Sequence, residues 1–178
     1  MHNIDLEKNN RENYRQILDV LSMPGTKKDI DKVFDSYTLA IASVLLYSEV
    51  SYFNNTNEDF SVIDAITNTK KTTVENADYL FCDKNLNEIL EKVKKGTFLN
   101  PDYSCTIIYC CDSFDGLNII LKGPGINIQR EESYPIDNDF IKIFKETVEY
   151  PLGNEIFFLN KTNGEIKALS RTTKLELV

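Results

Sequence analysis

The stretch CTIIYCC, residues 105–111, decides the fold because it is apolar on both faces. A strand with this pattern is buried on both sides, as a central strand of a sheet covered on both faces would be. A second apolar run, ADYLFC at residues 77–82, predicts another core strand. Segments with helical periodicity alternate with these strands, and this alternation predicts an α/β domain.

Two helices are predicted ahead of these strands. The first has Asn9 or Asn10 as its N-cap and ends at Pro24-Gly25; its apolar stripe consists of Tyr14, Ile17, Leu18 and Leu21. The second, SYTLAIASVLLY at residues 36–47, begins at the cap residue Ser36 and is apolar on most faces. That composition predicts a helix buried between neighbours. EVSYF and DFSVIDAIT, which follow, predict a short strand and a short helix.

Residues 85–95 have the clearest helical pattern in the chain. Asn85 and Glu88 have the spacing of a capping box, and Gly96 fits a C-cap. A further helix is predicted for DFIKIFKETV, residues 139–148, ended by Pro151.

Two hairpin turns are predicted from local sequence. Asp115-Gly116 would return the strand 105–111 into LNIILK, residues 117–122, and Asn163-Gly164 would join EIFFLN to EIKALS. Hairpins place antiparallel neighbours in a sheet. The sheet is therefore predicted to be mixed rather than wholly parallel.

Composition limits the classes of partner. The 178 residues are 42% hydrophobic and 27% charged, which fits one globular domain over residues 1–178. The net charge of −8 argues against binding to nucleic acid, which needs a basic surface. The first residues are polar, and the apolar run at residues 39–47 is far shorter than the ~20 residues of a membrane span. We therefore expect a cytoplasmic protein that does not bind a membrane.

Cysteine and histidine usage argues against a metal centre. On a strand, Cys105 and Cys111 share a face but lie roughly 20 Å apart, and Cys110 points the other way. They are predicted to be small buried hydrophobic residues. His2 is the only histidine, so histidine-based catalysis is not expected, and no pair of carboxylates stands out. We predict no catalytic residue, no metal and no cofactor.

Gly123-Pro124-Gly125 follows a predicted strand and resembles half of a nucleotide-binding loop. A dinucleotide loop needs a third glycine and an immediate helix, whereas INIQREE follows here. Pro124 also lacks an N–H that a phosphate cradle would use. Local chemistry favours a structural bend, and a contribution of Gly123 and Gly125 to a ligand cleft stays open.

Arg171, Thr172 and Thr173 form a second candidate site near the end of the sequence. One guanidinium and two hydroxyls would suit a small anion. The alternative is a strand edge at which the arginine pairs with an acid of this acidic chain.

Four stretches together resemble the PhnH family of carbon–phosphorus lyase subunits. They are YRQILDVLSMPG; LEKVKKGT followed by NPDYSCTIIY; LKGPGI; and YPLGNEIFF with ALSRTTKLEL. The last pair is the most specific. Ser170 departs from the family's usual proline before Arg-Thr-Thr, which predicts a less rigid backbone there. Residues 48–76 resemble the family only loosely.

The resemblance implies a three-layer α/β/α domain like the large domain of transferases that use pyridoxal phosphate (PLP), with a mixed sheet and without that cofactor. It implies a role, with the G, I and L subunits, in forming ribose 1-phosphonate 5-triphosphate from ATP and an alkylphosphonate. The J subunit is a further expected partner, and the isolated chain is expected to be a homodimer. On this hypothesis the chain is an interaction subunit that is not catalytic alone. The competing hypothesis is a self-sufficient phosphate- or nucleotide-binding transferase that uses Arg171, Thr172, Thr173 and Lys122.

Overall fold

The computed structural model describes residues 6–178, which form five α-helices and ten β-strands. The helices are α1 (Leu6–Ser22), α2 (Tyr37–Leu45), α3 (Ser61–Thr67), α4 (Leu86–Lys92) and α5 (Asn138–Thr147). The strands are β1 (Lys28–Asp29), β2 (Ser51–Asn55), β3 (Lys70–Lys71), β4 (Tyr79–Cys82), β5 (Thr106–Cys111), β6 (Leu117–Lys122), β7 (Arg130–Tyr134), β8 (Glu155–Asn160), β9 (Glu165–Leu169) and β10 (Lys174–Leu177). Short 3-10 turns lie at Val74–Asn76 and Pro101–Tyr103.

Seven strands form a mixed sheet in the order β1-β9-β8-β5-β4-β2-β3. The strands β3, β2, β4, β5 and β8 are parallel, whereas β9 at one side runs antiparallel to both of its neighbours, β8 and β1. β5 lies in the middle, with Ile108 opposite Phe81 on one side and Phe157 on the other. The predictions of a central strand at residues 105–111 and of a mixed sheet are confirmed.

Three strands form a separate antiparallel sheet in the order β10-β6-β7. The predicted hairpin between residues 105–111 and 117–122 is therefore wrong, because β6 pairs with β7 and β10 instead of β5. Both edges of β5 are already filled by the parallel strands β4 and β8. The second predicted hairpin is confirmed, since β8 and β9 pair directly across residues 161–164.

Apolar side chains form two clusters, one on each face of the seven-stranded sheet. The first contains residues of α1, α2 and α3 with Phe81, Ile108 and Phe157 of the sheet. The second contains residues of α4, α5 and the small sheet with Ile107 and Phe158. The domain thus has three layers, and one outer layer combines helices with the second sheet.

The helix termini partly follow the predictions. The Ser36 hydroxyl accepts a hydrogen bond from Leu39 N, which confirms it as the cap of α2. Asn9 and Asn10 lie inside α1, so neither caps it. Asn85 precedes α4 in a left-handed conformation and makes no side-chain cap, so the predicted capping box is wrong. α4 ends at Lys92, and Gly96 lies in the following loop rather than at the C-cap.

The helices also bear on membrane insertion. No helix within residues 6–178 combines the length and the apolar character needed to span a membrane.

Candidate functional site

The two motifs singled out in the sequence lie side by side at one end of the second sheet. β10 pairs with β6 in antiparallel register, with Lys174 opposite Lys122. The turn before β10 contains Arg171, and the turn after β6 begins at Gly123. A Cβ added to Gly123 would lie 2.8 Å from the carbonyl oxygen of Thr172. The structure therefore brings both predicted site segments together.

Arg171 is held by protein groups from three separate segments. Its Nε donates to Glu155 Oε1 at 2.7 Å, and its backbone N–H donates to Glu155 Oε2 at 3.1 Å. Its Nη1 donates to the carbonyl oxygens of Pro101 at 2.7 Å and Pro151 at 3.4 Å. The Arg171 and Glu155 side chains are only 18% and 17% exposed. The guanidinium therefore ties together the start of β8 and two loops.

Thr173 and Ser170 close the turn between β9 and β10. The Thr173 hydroxyl accepts from Ser170 N at 3.2 Å and lies 3.0 Å from the Ser170 hydroxyl. The Ser170 hydroxyl also lies 2.8 Å from that of Thr172. A proline at position 170 would lack the N–H that Thr173 receives. In this chain a network of hydroxyl groups orders the turn between β9 and β10.

Gly123-Pro124-Gly125 forms a tight turn against the end of α1. Ile126 N donates to Gly123 O at 3.2 Å. Gly125 has a φ of +79°, and a Cβ at this position would lie 1.9 Å from Ser22 O. Glycine is needed here because the two backbones approach so closely. The geometry of this turn agrees with the structural bend that local chemistry favours.

A cleft of about 710 Å³ runs along β10 beside these two turns. One wall is the continuous segment 171–176, and the other is formed by Phe144, Lys145, Val148 and Tyr150. Pro124 lines the same cleft. Leu175 and Phe144 belong to the second apolar cluster, so the cleft has an apolar floor. No local sequence pattern predicts the contributions of Lys145 and Tyr150, which come from α5 and the loop after it.

Lysines at the rim of the cleft differ in their partners. Lys122 Nζ donates to Glu176 Oε2 at 2.6 Å. This hydrogen bond is the main cause that lowers the pKa of Glu176, and the nearby ammonium groups of Lys145 and Lys174 add to it. The Lys145 and Lys174 side chains are exposed, and neither ammonium group forms a hydrogen bond or an ion pair within residues 6–178. The rim therefore carries excess positive charge.

A second cleft, of about 450 Å³, lies at the carboxyl ends of the parallel strands. Its lining includes Glu58, Asp59, Asp83 and Lys161. Asp83 Oδ1 is sealed from solvent and has no hydrogen-bond partner among the described residues. Carboxylates outnumber ammonium groups here, which makes this cleft a poor place for an anion.

The cysteines are buried, as predicted, and none forms a disulfide within the described range. Burial raises the pKa of each of three thiols to about 12: Cys105, Cys110 and Cys111. These thiols stay protonated at neutral pH and are poor nucleophiles. Residues 6–178 contain no group of three or more His, Cys, Asp or Glu side chains placed to hold a metal ion. His2 lies outside the described residues.

Comparison with known protein families gives a match over almost the whole chain. Residues 4–176 match the family described as "Bacterial phosphonate metabolism protein (PhnH)". No curated protein matches the sequence. The family match covers almost the whole chain and includes both turns beside the cleft.

Proposed function

The chain belongs to the PhnH family of bacterial phosphonate metabolism proteins, and on that basis we propose that it is an interaction subunit of a carbon–phosphorus lyase. In this proposal the chain acts with the G, I and L subunits when ribose 1-phosphonate 5-triphosphate forms from ATP and an alkylphosphonate. The J subunit is a further partner. The chain itself supplies surfaces and positions its partners, while the reacting groups come from the other subunits.

The main support for this proposal is that the Arg171 side chain is already hydrogen-bonded within the protein. Its guanidinium is the group in the candidate site best suited to a phosphate, yet it already binds Glu155 and two backbone carbonyls. The hydroxyl of Thr173 is likewise used inside the turn. Side chains that hold the fold together have little capacity left for substrate, which supports a role in assembly.

The fold belongs to the same proposal. We take the three-layer arrangement with a mixed sheet to be that of the large domain of PLP-dependent transferases, formed by one domain that works without PLP. The site of action is the cytoplasm, where ATP is available as the co-substrate.

A self-sufficient transferase is the second candidate function. The observation in its favour is the excess positive charge of Lys145 and Lys174 beside Arg171 and Thr172. An alkylphosphonate or a nucleotide phosphate would meet two ammonium groups there. In this case the chain alone would bind the substrate.

Reconstitution separates the two functions. The complete subunit mixture should form the ribose phosphonate product, and omission of this chain should abolish or strongly reduce the yield. Calorimetry on the isolated chain with ATP and methylphosphonate should show no saturable binding. Tight binding of either ligand by the chain alone would support the transferase, and undiminished product without this chain would refute the subunit role.

A homodimer is proposed for the isolated chain. Two chains of 20.5 kDa give about 41 kDa, and symmetric dimers are the commonest oligomers. Light scattering should give this mass for the protein without its partners. A mass of one chain at every concentration would contradict it.

A further inference from the structure

β10 is an edge strand with an unoccupied side. It pairs with β6 on one side only, since the small sheet has the order β10-β6-β7. In an antiparallel pair, alternate residues turn their N–H and C=O groups away from the partner strand. No other described segment pairs with Lys174–Leu177. The outer edge of β10 therefore offers backbone donors and acceptors to an added strand.

The open edge lies beside an apolar trough. The 710 Å³ cleft follows residues 171–176 along its length, and α5 provides the opposite wall through Phe144 and Lys145. Tyr150, which lines the cleft, exposes 76% of its surface, and Leu177, the last residue of β10, exposes 55%. A groove between an edge strand and a helix is a recurrent site for an extended peptide, whose alternate side chains enter the groove.

The charges at the rim of the groove indicate which kind of segment would bind there. Arg171 is paired with Glu155, and Glu176 is paired with Lys122, which leaves Lys145 and Lys174 as rim charges without an ion-pair partner in the described part of the chain. The chain as a whole carries a net charge of −8, which disfavours the approach of acidic partners in general. An acidic segment would be attracted to this rim in particular.

We propose that this groove binds an extended segment of a partner subunit by adding a strand to β10. The segment has apolar side chains at alternate positions, which contact the floor of the groove, and acidic side chains that face Lys145 and Lys174. Its backbone hydrogen-bonds to the outer edge of β10. This inference rests on the proposed function as an interaction subunit and assigns the surface through which that function is exerted. Arg171 and its turn then serve to hold β10 in place.

Charge reversal tests the assignment. Lys145→Glu combined with Lys174→Glu changes two exposed side chains and should leave folding intact, as circular dichroism would verify. Lys142→Glu is the matched control, because Lys142 is an exposed lysine of the same helix that does not line the groove. Each full-length variant is co-produced with the partner subunits, and the affinity of assembly is measured. We expect at least tenfold weaker assembly for the double variant and no change for the control.

Hydrogen exchange gives an independent measurement. Amides within residues 174–177 should exchange at least tenfold more slowly in the assembled complex than in the free chain. Wild-type assembly by the double variant, or unchanged exchange at β10, would overturn the strand-addition proposal while leaving the subunit role intact. Failure of the wild-type chain to assemble with any partner would overturn both.

Inorganic phosphate is the competing probe. A saturable affinity of the isolated chain for phosphate that the double variant loses, together with unaffected assembly, would assign the groove to a small anion and overturn the proposal. A lysine on an edge strand also discourages unwanted pairing. If that were the only role of Lys174, charge reversal would leave assembly unchanged.

Discussion

Replacing Lys167 by methionine tests how strongly the two sheets are held together. Lys167 lies on β9 of the large sheet, and its Nζ donates to Glu132 Oε2 at 2.7 Å and to Ser133 O at 3.2 Å, both on β7 of the small sheet. The ammonium also lies 5.2 Å and 5.0 Å from the ring centroids of Phe114 and Tyr134. The Lys167 side chain is 4% exposed and that of Glu132 is 29% exposed.

The magnitude follows from the burial of the pair. Removing one partner from a buried ion pair costs about 3–5 kcal/mol, because the remaining charge is left without its counter-ion. Glu132 keeps some contact with water, so we expect the lower end, about 3 kcal/mol. Methionine retains the packing of the aliphatic stem. For a domain of this size the loss corresponds to a fall in Tm of roughly 6–12 °C.

Thermal and urea unfolding of four proteins provide the assay: wild type, Lys167→Met, Glu132→Gln and the double variant. The double variant should be more stable than the sum of the single losses implies, because neither charge is then left alone. Lys27→Met is the control, since Lys27 forms an ion pair with Glu165 at 3.1 Å but is 50% exposed. The free energy of unfolding of Lys27→Met should fall by no more than about 1 kcal/mol. A loss below about 1 kcal/mol for Lys167→Met, or strict additivity in the double variant, would refute the reasoning.

Three further substitutions or conditions test the structure. Arg171→Ala should lower the free energy of unfolding by about 2–3 kcal/mol, measured by urea denaturation, because the Glu155 carboxylate loses its charged donor; unchanged stability with loss of product formation by the complex would instead support an anion site. Gly125→Ala should lower the free energy of unfolding by more than about 1 kcal/mol, which a lower Tm would show. The added Cβ would lie 1.9 Å from Ser22 O, and the backbone φ of +79° is unfavourable for alanine. Raising the pH from about 8.5 toward 12 should destabilise the fold, because the cysteine thiols ionise near pH 8.5 when unfolded but near 12 when buried. Their contribution is complete below about pH 8.5, and the slope of unfolding free energy against pH should flatten in a variant with alanine at Cys105, Cys110 and Cys111.

Local pattern was sufficient for most individual elements. Residues 105–111 are apolar on both faces because an apolar cluster covers each face of the sheet at this strand. β4 and β8 lie at its two edges, so the apolar pattern correctly indicates a central strand. The hairpin of β8 and β9 is likewise encoded by a turn between adjacent strands. Strand pairing over longer distances carries no such signal. Asp115-Gly116 marks a turn, but the sequence does not show that β6 leaves the large sheet to pair with β10.

The candidate site shows the same limit. The residue types of Arg171, Thr172 and Thr173 raised two alternatives, an anion site or an arginine paired with an acid. The acid proved to be Glu155, and the other acceptors are carbonyls 70 and 20 residues away in the sequence. Such contacts depend on how the loops pack. Every residue has a backbone carbonyl, so the sequence does not show which carbonyls will accept a hydrogen bond from Arg171. Lys145 and Tyr150 reach the cleft for the same reason.

The position of β5 between β4 and β8 has a consequence for the chain during its synthesis. Forty-nine residues separate Thr106 from Glu155, its partner at the start of β8. At ~5–20 residues per second, ribosomes need about 2–10 s to produce this interval. The same interval separates the emergence of β5 from the exit tunnel from that of β8, and until β8 emerges β5 presents an apolar strand with one free edge, a hazard for aggregation. Nascent chains arrested while β8 is still inside the exit tunnel should therefore crosslink through β5 to a ribosome-associated chaperone. Release of β8 should abolish the crosslink, and its persistence would show that β5 is shielded by other means.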